Sequence, residues 1–353
     1  MNAGLKPGQE HFRFFPLHKK DTNKTIHTVD TILKIAVIGL GRIGQIHLAA
    51  LKTFKNIKIT AVSDISPELA KWTAAEYQIP HFYTNYQDIF QQKDIDAVWI
   101  CSPTSYHLAQ VKEALDSNKY IFCEKPLDKD SNNIQSLIDI YPDLNHRLMV
   151  GFNRRFDPDF AAVKASLKKI GKPTIIKITS RDPFPPTAEY TRASGGIYND
   201  MSIHDLDMAR FISESEAEQV IAVGSKNYTD DTDTTLITIK FKNGIICNID
   251  NSRKASYGYD QRLEILGDKG MISVENKKIN HLTFYSENSL ESSVLEPFFL
   301  ERYKDSYIEE IKAFITSIQE KKEFPSTGED ALKASILADA CEKSLEQKKI
   351  IFL

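Results

Sequence analysis

Cysteine is scarce in this 353-residue chain, and the four present, Cys101, Cys123, Cys247 and Cys341, stand far apart with no C-x-x-C pair among them. That spacing argues against a disulfide framework or a thiolate metal site. With Cys101 and Cys123 inside apolar, strand-like runs, it predicts reduced core thiols of a cytosolic protein. No apolar run approaches the length of a membrane span. Charge of one sign is not in excess either: 45 basic residues face 48 acidic ones, for a net charge of −3. Short runs such as Lys19-Lys20, Lys168-Lys169 and Lys348-Lys349 read as a solvated face, so no nucleic-acid surface is expected. Internal repeats and low-complexity tracts are missing. The first 30 residues lack the uninterrupted apolar core of a secretory signal and contain no serine. Residues 1–32 are therefore expected to form a flexible extension, the alternative being a targeting segment, since Glu10 is the only acid before Asp21.

What is present starts at Ile35-Ala36-Val37-Ile38-Gly39-Leu40-Gly41-Arg42-Ile43-Gly44, a β-branched run that breaks into G-x-G-x-x-G and resumes with helical spacing. This is the pattern of a dinucleotide grip. Gly39 permits the turn out of the strand, Gly41 lets backbone approach a pyrophosphate, and Gly44 lets the helix pack closely on the sheet. A helix is expected from Ile43 to about Phe54, just after Arg42, and its unpaired N–H groups and positive dipole end favour an anion. These five residues are the expected phosphate end of the cofactor site. A second strand, Ile57 to Ser63, runs into Asp64, 20 residues after Gly44. There an acid can bind both hydroxyls of the adenosine ribose and repel a 2′-phosphate, which favours NAD over NADP. The competing reading of Asp64 is a turn aspartate ahead of Ser66-Pro67.

Further short apolar strands at His81–Tyr83, Ala97–Cys101, Tyr120–Cys123 and Arg147–Val150 alternate with amphipathic helices up to Gly151. That rhythm predicts a Rossmann-type, doubly wound parallel sheet over residues 33–151. Beyond it, hairpin turns at Lys242-Asn243-Gly244 and Gly267-Asp268-Lys269-Gly270 mark a change of rhythm. Residues 152–353 read as an α+β domain with a large, mainly antiparallel open sheet, the whole being an α/β protein. Helices are expected at Pro158–Lys169, Ser202–Ile212, Tyr303–Glu320 and Gly328–Gln347.

Two clusters carry chemistry. Lys125 closes the fifth strand in Cys123-Glu124-Lys125-Pro126, where an ammonium could stabilise a developing alkoxide or simply be solvated. Asp200 and His204 share a face if their helix begins early, making a proton relay in which the acid orients the imidazole. A structural Asp/His pair or a metal site are the alternatives, the latter disfavoured because no other His or Cys cluster lies nearby. Asp205 and Asp207 are expected to add charge at the helix start.

Taken in order, Gly39 to Gly44, Ser102-Pro103-Thr104-x-x-His107, Glu124-Lys125-Pro126, Gly151-Phe152-Asn153-Arg154-Arg155-Phe156-Asp157, and Gly195-Gly196 leading to Asp200-x-x-x-His204-Asp205 resemble the glucose-fructose oxidoreductase and inositol dehydrogenase family. The resemblance covers Leu33 to Leu353. Asp200 to Arg210 and Tyr257-Gly258-Tyr259-Asp260-Gln261-Arg262 look most like inositol 2-dehydrogenases. It implies an NAD-dependent dehydrogenase acting on a ring hydroxyl, most like myo-inositol, with Lys125, Asp200 and His204 as the catalytic group. Asn153, Arg154 and Tyr259 would line the polyol pocket with them. Ser102, Pro103, Thr104, His107 and Glu124 would border the cofactor, although His107 could simply open a helix. A homo-oligomer, commonly a tetramer built through the exposed face of the second sheet, is implied as well. Other cyclic polyols, or an NAD-binding sensor without chemistry, are the alternatives.

Overall fold

Short apolar runs, mostly buried and bounded by turns and helices, produce the first layer. The structure, a computed structural model, describes residues 32–353 except the side chains of Arg192 and Ala193, and up to Thr31 the expected N-terminal extension lies outside it. The first strands and helices are β1 (Leu33–Ile38), α1 (Arg42–Leu51), β2 (Ile57–Ser63), α2 (Pro67–Glu76), β3 (His81–Tyr83) and α3 (Gln87–Phe90). They continue with β4 (Ala97–Ile100), α4 (His107–Asp116), β5 (Tyr120–Glu124), α5 (Ser131–Ile140) and β6 (Leu148–Gly151). The six strands pair in parallel in the order β3-β2-β1-β4-β5-β6. The order reverses between β1 and β4, so a crevice opens beyond their carboxyl ends, where ligands of such sheets bind. Ser66 caps α2 by accepting from Leu69 N, with Pro67 preset for the first turn.

The second region starts at α6 (Pro158–Ser166), capped by Asp157, which accepts from Asp159 N at 3.1 Å and Phe160 N at 3.2 Å. It proceeds through β7 (Pro173–Arg181), α7 (Ala188–Ser194), α8 (Ile203–Ser213), β8 (Ala217–Ser225), β9 (Thr234–Phe241) and β10 (Ile246–Ser252). Then come β11 (Asp260–Gly267), β12 (Gly270–Val274), β13 (Thr283–Tyr285), β14 (Leu290–Ser292), α9 (Phe299–Arg302), α10 (Lys304–Glu320), α11 (Gly328–Gln347) and β15 (Ile351–Phe352). Seven strands form a sheet in the order β12-β11-β7-β10-β9-β8-β15. The sheet is antiparallel except for the β7–β10 pair. That parallel pair refines the mainly antiparallel expectation, and both expected hairpin turns link neighbours.

Three segments depart from expectation. Residues Tyr198–Ser202 wind as a single π-turn before α8 begins at Ile203, a widening that often accompanies functional side chains. The short α7 and the β13–β14 hairpin had no periodic signal. Residues 32–353 make one compact unit. Helix α10 packs on α1 and α11 on both β6 and β8, so the two sheets share helices. Trp99 of β4 stacks on Phe122 of β5 with centroids 4.2 Å apart and meets Phe314 of α10 at 4.8 Å.

Candidate active site

The glycine loop is built by steric exclusion. Gly39 has φ +86°, and a Cβ there would stand 2.4 Å from Ser102 N. A Cβ on Gly44 would stand 2.1 Å from Gly39 O. Gly41 is the opposite case: nothing lies within 4 Å of a Cβ added there, and it precedes α1 without a side-chain cap. Open space in front of an uncapped helix N-terminus fits a pyrophosphate, whose oxygens would meet the N–H groups opened by Arg42 and Ile43. Asp64 closes the other side. Its Oδ2 accepts Leu40 N at 2.8 Å and its Oδ1 accepts Ser66 N at 3.0 Å. The turn reading of Asp64 is thus realised, and the same carboxylate steadies the glycine loop.

Ser102, Pro103 and Thr104 follow β4 at the sheet edge. Ser102 Oγ donates to Gln110 Oε1 at 2.6 Å. His107 opens α4 and does more: its Nδ1 lies 2.8 Å from Pro126 O and its Nε2 lies 2.8 Å from Ser102 O. The buried ring therefore braces two loops at the cofactor edge. Burial lowers its pKa against the pull of those carbonyls.

Lys125 extends from the end of β5 to the π-turn, where its Nζ donates to Asp200 O at 2.8 Å and lies 3.6 Å from Asp200 Oδ1. The expected Asp200–His204 contact does not form. The π-turn shifts the register, and Asp200 instead accepts from Arg253 Nη1 at 2.9 Å and from Tyr190 Oη at 3.0 Å. Burial works against the charge of Asp200, but Lys125 and Arg253 outweigh it and hold its carboxyl below the ordinary value. His204 makes no hydrogen bond among the described residues, and its Nδ1 is buried without a partner. Burial, then the charges of Lys125 and Arg154, keep its pKa well below the ordinary imidazole value. Kept neutral, the imidazole has a lone pair open to a proton, while burial and the neighbouring cations disfavour the imidazolium it would become.

Arg154 donates from Nη1 to Ser180 Oγ at 2.9 Å and to Asp205, and its guanidinium sits 5.6 Å from the Tyr303 ring centroid. Asp205 is wholly buried and also accepts from Asn251 Nδ2 at 2.8 Å. Asp207 accepts from Arg155 Nε at 2.8 Å. Both acids are buried ion-pair partners; Asp205 does stand in the first turn of α8, as expected, whereas Asp207 lies beyond it. Asn153 turns to α10, donating to Ser306 Oγ at 3.2 Å. Tyr259 is buried between Phe298 and Tyr303, with centroids 5.5 and 6.2 Å away.

Four participants escaped the sequence reading. Arg253, Tyr190, Asp182 and His47 belong to no motif and reach the site through the fold. Asp182 follows β7, and its backbone bonds with Ser252 and Ala255 hold it beside Arg253. Burial, opposed by Arg253 and reinforced by Asp200, pushes its carboxyl up to about 7. Glu124 accepts from His47 and from Lys125 N.

Comparisons with known proteins give the family and the fold. A family model for an oxidoreductase NAD-binding Rossmann fold matches residues 33–152, and one for the C-terminal alpha/beta domain of the same family matches residues 164–353. An uncharacterized oxidoreductase of Bacillus subtilis is 43% identical over 88% of this chain and 93% of its own length. The myo-inositol 2-dehydrogenase of Thermotoga maritima is 39% identical over 91% of this chain and 98% of its own. The crystal structure of scyllo-inositol dehydrogenase from Lactobacillus casei with bound NAD(H) and scyllo-inositol superposes with a TM-score of 0.84 at 30% identity, covering 91% of this chain and 98% of that one.

Proposed function

The chain belongs to the GFO_IDH_MocA oxidoreductase family, with NAD as its cofactor, and on that premise we propose that it oxidises a secondary ring hydroxyl of an inositol to the ketone. The favoured substrate is myo-inositol, at its axial hydroxyl. The substrate class is taken from relatives that act on myo- and scyllo-inositol by name. The chemistry is taken from the site, and the observation that carries it is the 2.8 Å bond from Lys125 to Asp200 O, which brings the strand-end ammonium to the π-turn that leads into α8 and His204.

In this reading His204, held neutral by burial and its cationic neighbours, accepts the hydroxyl proton. Lys125 donates to the same oxygen as negative charge develops there. Asp200 anchors Lys125 and Arg253 rather than orienting the imidazole. Arg154 and Tyr259 wall the pocket, while Asn153 fastens that wall to α10. Bound NAD supplies the hydride acceptor. Gly39, Gly41, Arg42, Ile43 and Gly44 would hold its pyrophosphate and Asp64 its ribose. Ser102, Pro103, Thr104, His107 and Glu124 would border its reactive end.

The outward face of the second sheet favours self-association. Ile175, Ile221, Leu236, Ile246, Leu266 and Met271 all lie exposed on one side of the paired strands, interspersed with the Lys177–Glu264 and Lys240–Glu218 ion pairs, and so many exposed apolar side chains on one face favour cover. A homo-oligomer formed through it is part of the proposal, checked by light scattering.

The deciding experiment is a panel of inositol isomers and cyclic sugars, followed by NADH absorbance and repeated with NADP. The proposal expects NAD-dependent turnover with the highest kcat/KM on myo-inositol. Preference for scyllo- or chiro-inositol would change the isomer and keep the chemistry. Inactivity on every inositol would overturn the substrate class, and preference for NADP would overturn the role of Asp64.

A further inference from the structure

Below the glycine loop, helix α1 carries a polar side chain with no exposed surface. His47 follows Gly44 by three residues, and its Nε2 lies 2.7 Å from Glu124 Oε1. The other carboxylate oxygen, Oε2, accepts the backbone N–H of Lys125 at 3.2 Å. Among the described residues this is the one side-chain hydrogen bond that joins α1 to β5. It runs from the helix facing the cofactor phosphates to the strand end that carries the reactive ammonium.

The ring is fixed on every side. Its centroid lies 4.9 Å from Phe122, 5.3 Å from Tyr307 and 5.9 Å from Trp99. Its Nδ1 is buried and meets no partner. A proton on Nδ1 would be stranded, so the tautomer with Nε2–H, directed at Glu124, is the one the surroundings select. Helix α10 closes the chamber with Tyr307 and Glu310. Both carboxyl oxygens of Glu310 are buried without a partner. Burial and the neighbouring Glu124 push the Glu310 carboxyl well above its ordinary value, so a second negative charge does not compete for the His47 proton.

We propose that His47 is a positioning residue: through Glu124 it couples cofactor binding at the N-terminus of α1 to the placement of Lys125. The inference rests on the role given to Lys125 above. A bound dinucleotide steadies α1, α1 holds the imidazole, and the imidazole holds the carboxylate that fixes the Lys125 backbone. By reciprocity, a slack Glu124 weakens the hold on the cofactor as well.

The test compares His47→Phe, which keeps an aromatic ring and loses the donor, with His47→Gln, whose terminal amide reaches about as far as Nε2. NADH affinity is measured by fluorescence titration without polyol, together with kcat, polyol KM and the thermal midpoint. His47→Phe is expected to weaken NADH binding and to lower kcat by about 5- to 50-fold, with polyol KM changed less than about twofold, whereas His47→Gln recovers most of both losses. If His47→Phe does not fold, His47→Asn replaces it, because its shorter arm keeps the polarity without reaching Glu124. Wild-type kcat and NADH affinity in the donorless variant would overturn the proposal. So would a His47→Gln protein no better than His47→Phe. If the wild-type enzyme oxidises no inositol, the substrate reading fails by itself, and the NADH titrations still decide the role of His47.

Discussion

The glycine loop and the π-turn stand at the two ends of one crevice, yet they are made differently. The loop is backbone: six consecutive residues in which a Cβ at Gly39 or Gly44 has nowhere to go and a Cβ at Gly41 has nothing near it. The proposed substrate end is side chains drawn from separate elements: Lys125, Asp182, Asp200 and Arg253, coupled by charge, with the neutral His204 beside them. A site built from backbone sterics leaves its mark in a short stretch of sequence. One built from side chains leaves it scattered.

The sharpest way to probe the difference is to remove the side chain proposed to take the proton. His204→Ala is expected to lower kcat by ~10²–10⁴ fold, the scale of a general base. NADH affinity, measured by titration, should stay near wild type, because the cofactor end does not depend on that imidazole. A variant with full activity would remove His204 from the mechanism.

The glycines should separate fold from binding. Gly44→Ala drives a methyl into Gly39 O and is expected to destabilise by about 1–3 kcal/mol, read by denaturant unfolding, with NADH binding lost alongside. Gly41→Ala meets only open space, so stability should hold while NADH binding weakens. Equal stability losses in the two variants would blur the contrast between a packed and an open glycine.

Asp182 tests the charge balance at the substrate end. It faces Arg253, Asp200, Arg154 and Lys125, and its carboxyl is raised from 3.8 to about 7. The folded protein therefore keeps a proton that the unfolded chain releases, and this group makes stability fall as pH rises from about 4 to 7. Near pH 7 the pocket gains a negative charge, so the polyol KM should change through neutrality in the wild type. In Asp182→Asn that change should flatten, as a pH series of KM will report.

The smallest effect is expected beneath the loop. Glu310 has a raised pKa caused by burial and then by Glu124. Its burial costs stability once the unfolded chain ionises, above its ordinary value of 4.5. Glu310→Gln should therefore raise the thermal midpoint at pH 8 by about 1–4 °C. The gain should vanish near pH 4, and calorimetry at the two pH values checks it.

Much of this was legible in the chain. The strand–glycine–helix stretch from Ile35 to Gly44 has its constraint written into neighbouring residues, and the parallel order of the first sheet follows from alternating strands and helices. The hairpins at Asn243-Gly244 and Asp268-Lys269 were equally local. The Asp200–His204 contact was not, because spacing of four implies contact only on a regular α-helix, and the π-turn over Tyr198–Ser202 breaks that rule. Likewise Asp205 and Asp207 look like helix-start charges in one dimension, and become salt-bridge partners once Arg154 and Arg155 are folded against them.

By itself the sequence determined the cofactor-binding architecture and the inventory of reactive groups, since both depend on short-range sterics and residue type. Only the tertiary structure decided their pairings. It turned Asp200 to Lys125 and Arg253, left His204 unpartnered among cations, and tied the helix of the glycine loop to Lys125 through His47 and Glu124. The physical reason is that burial and charge act through space: an imidazole stays neutral, or a carboxyl keeps its proton, because of neighbours that the chain order places far away.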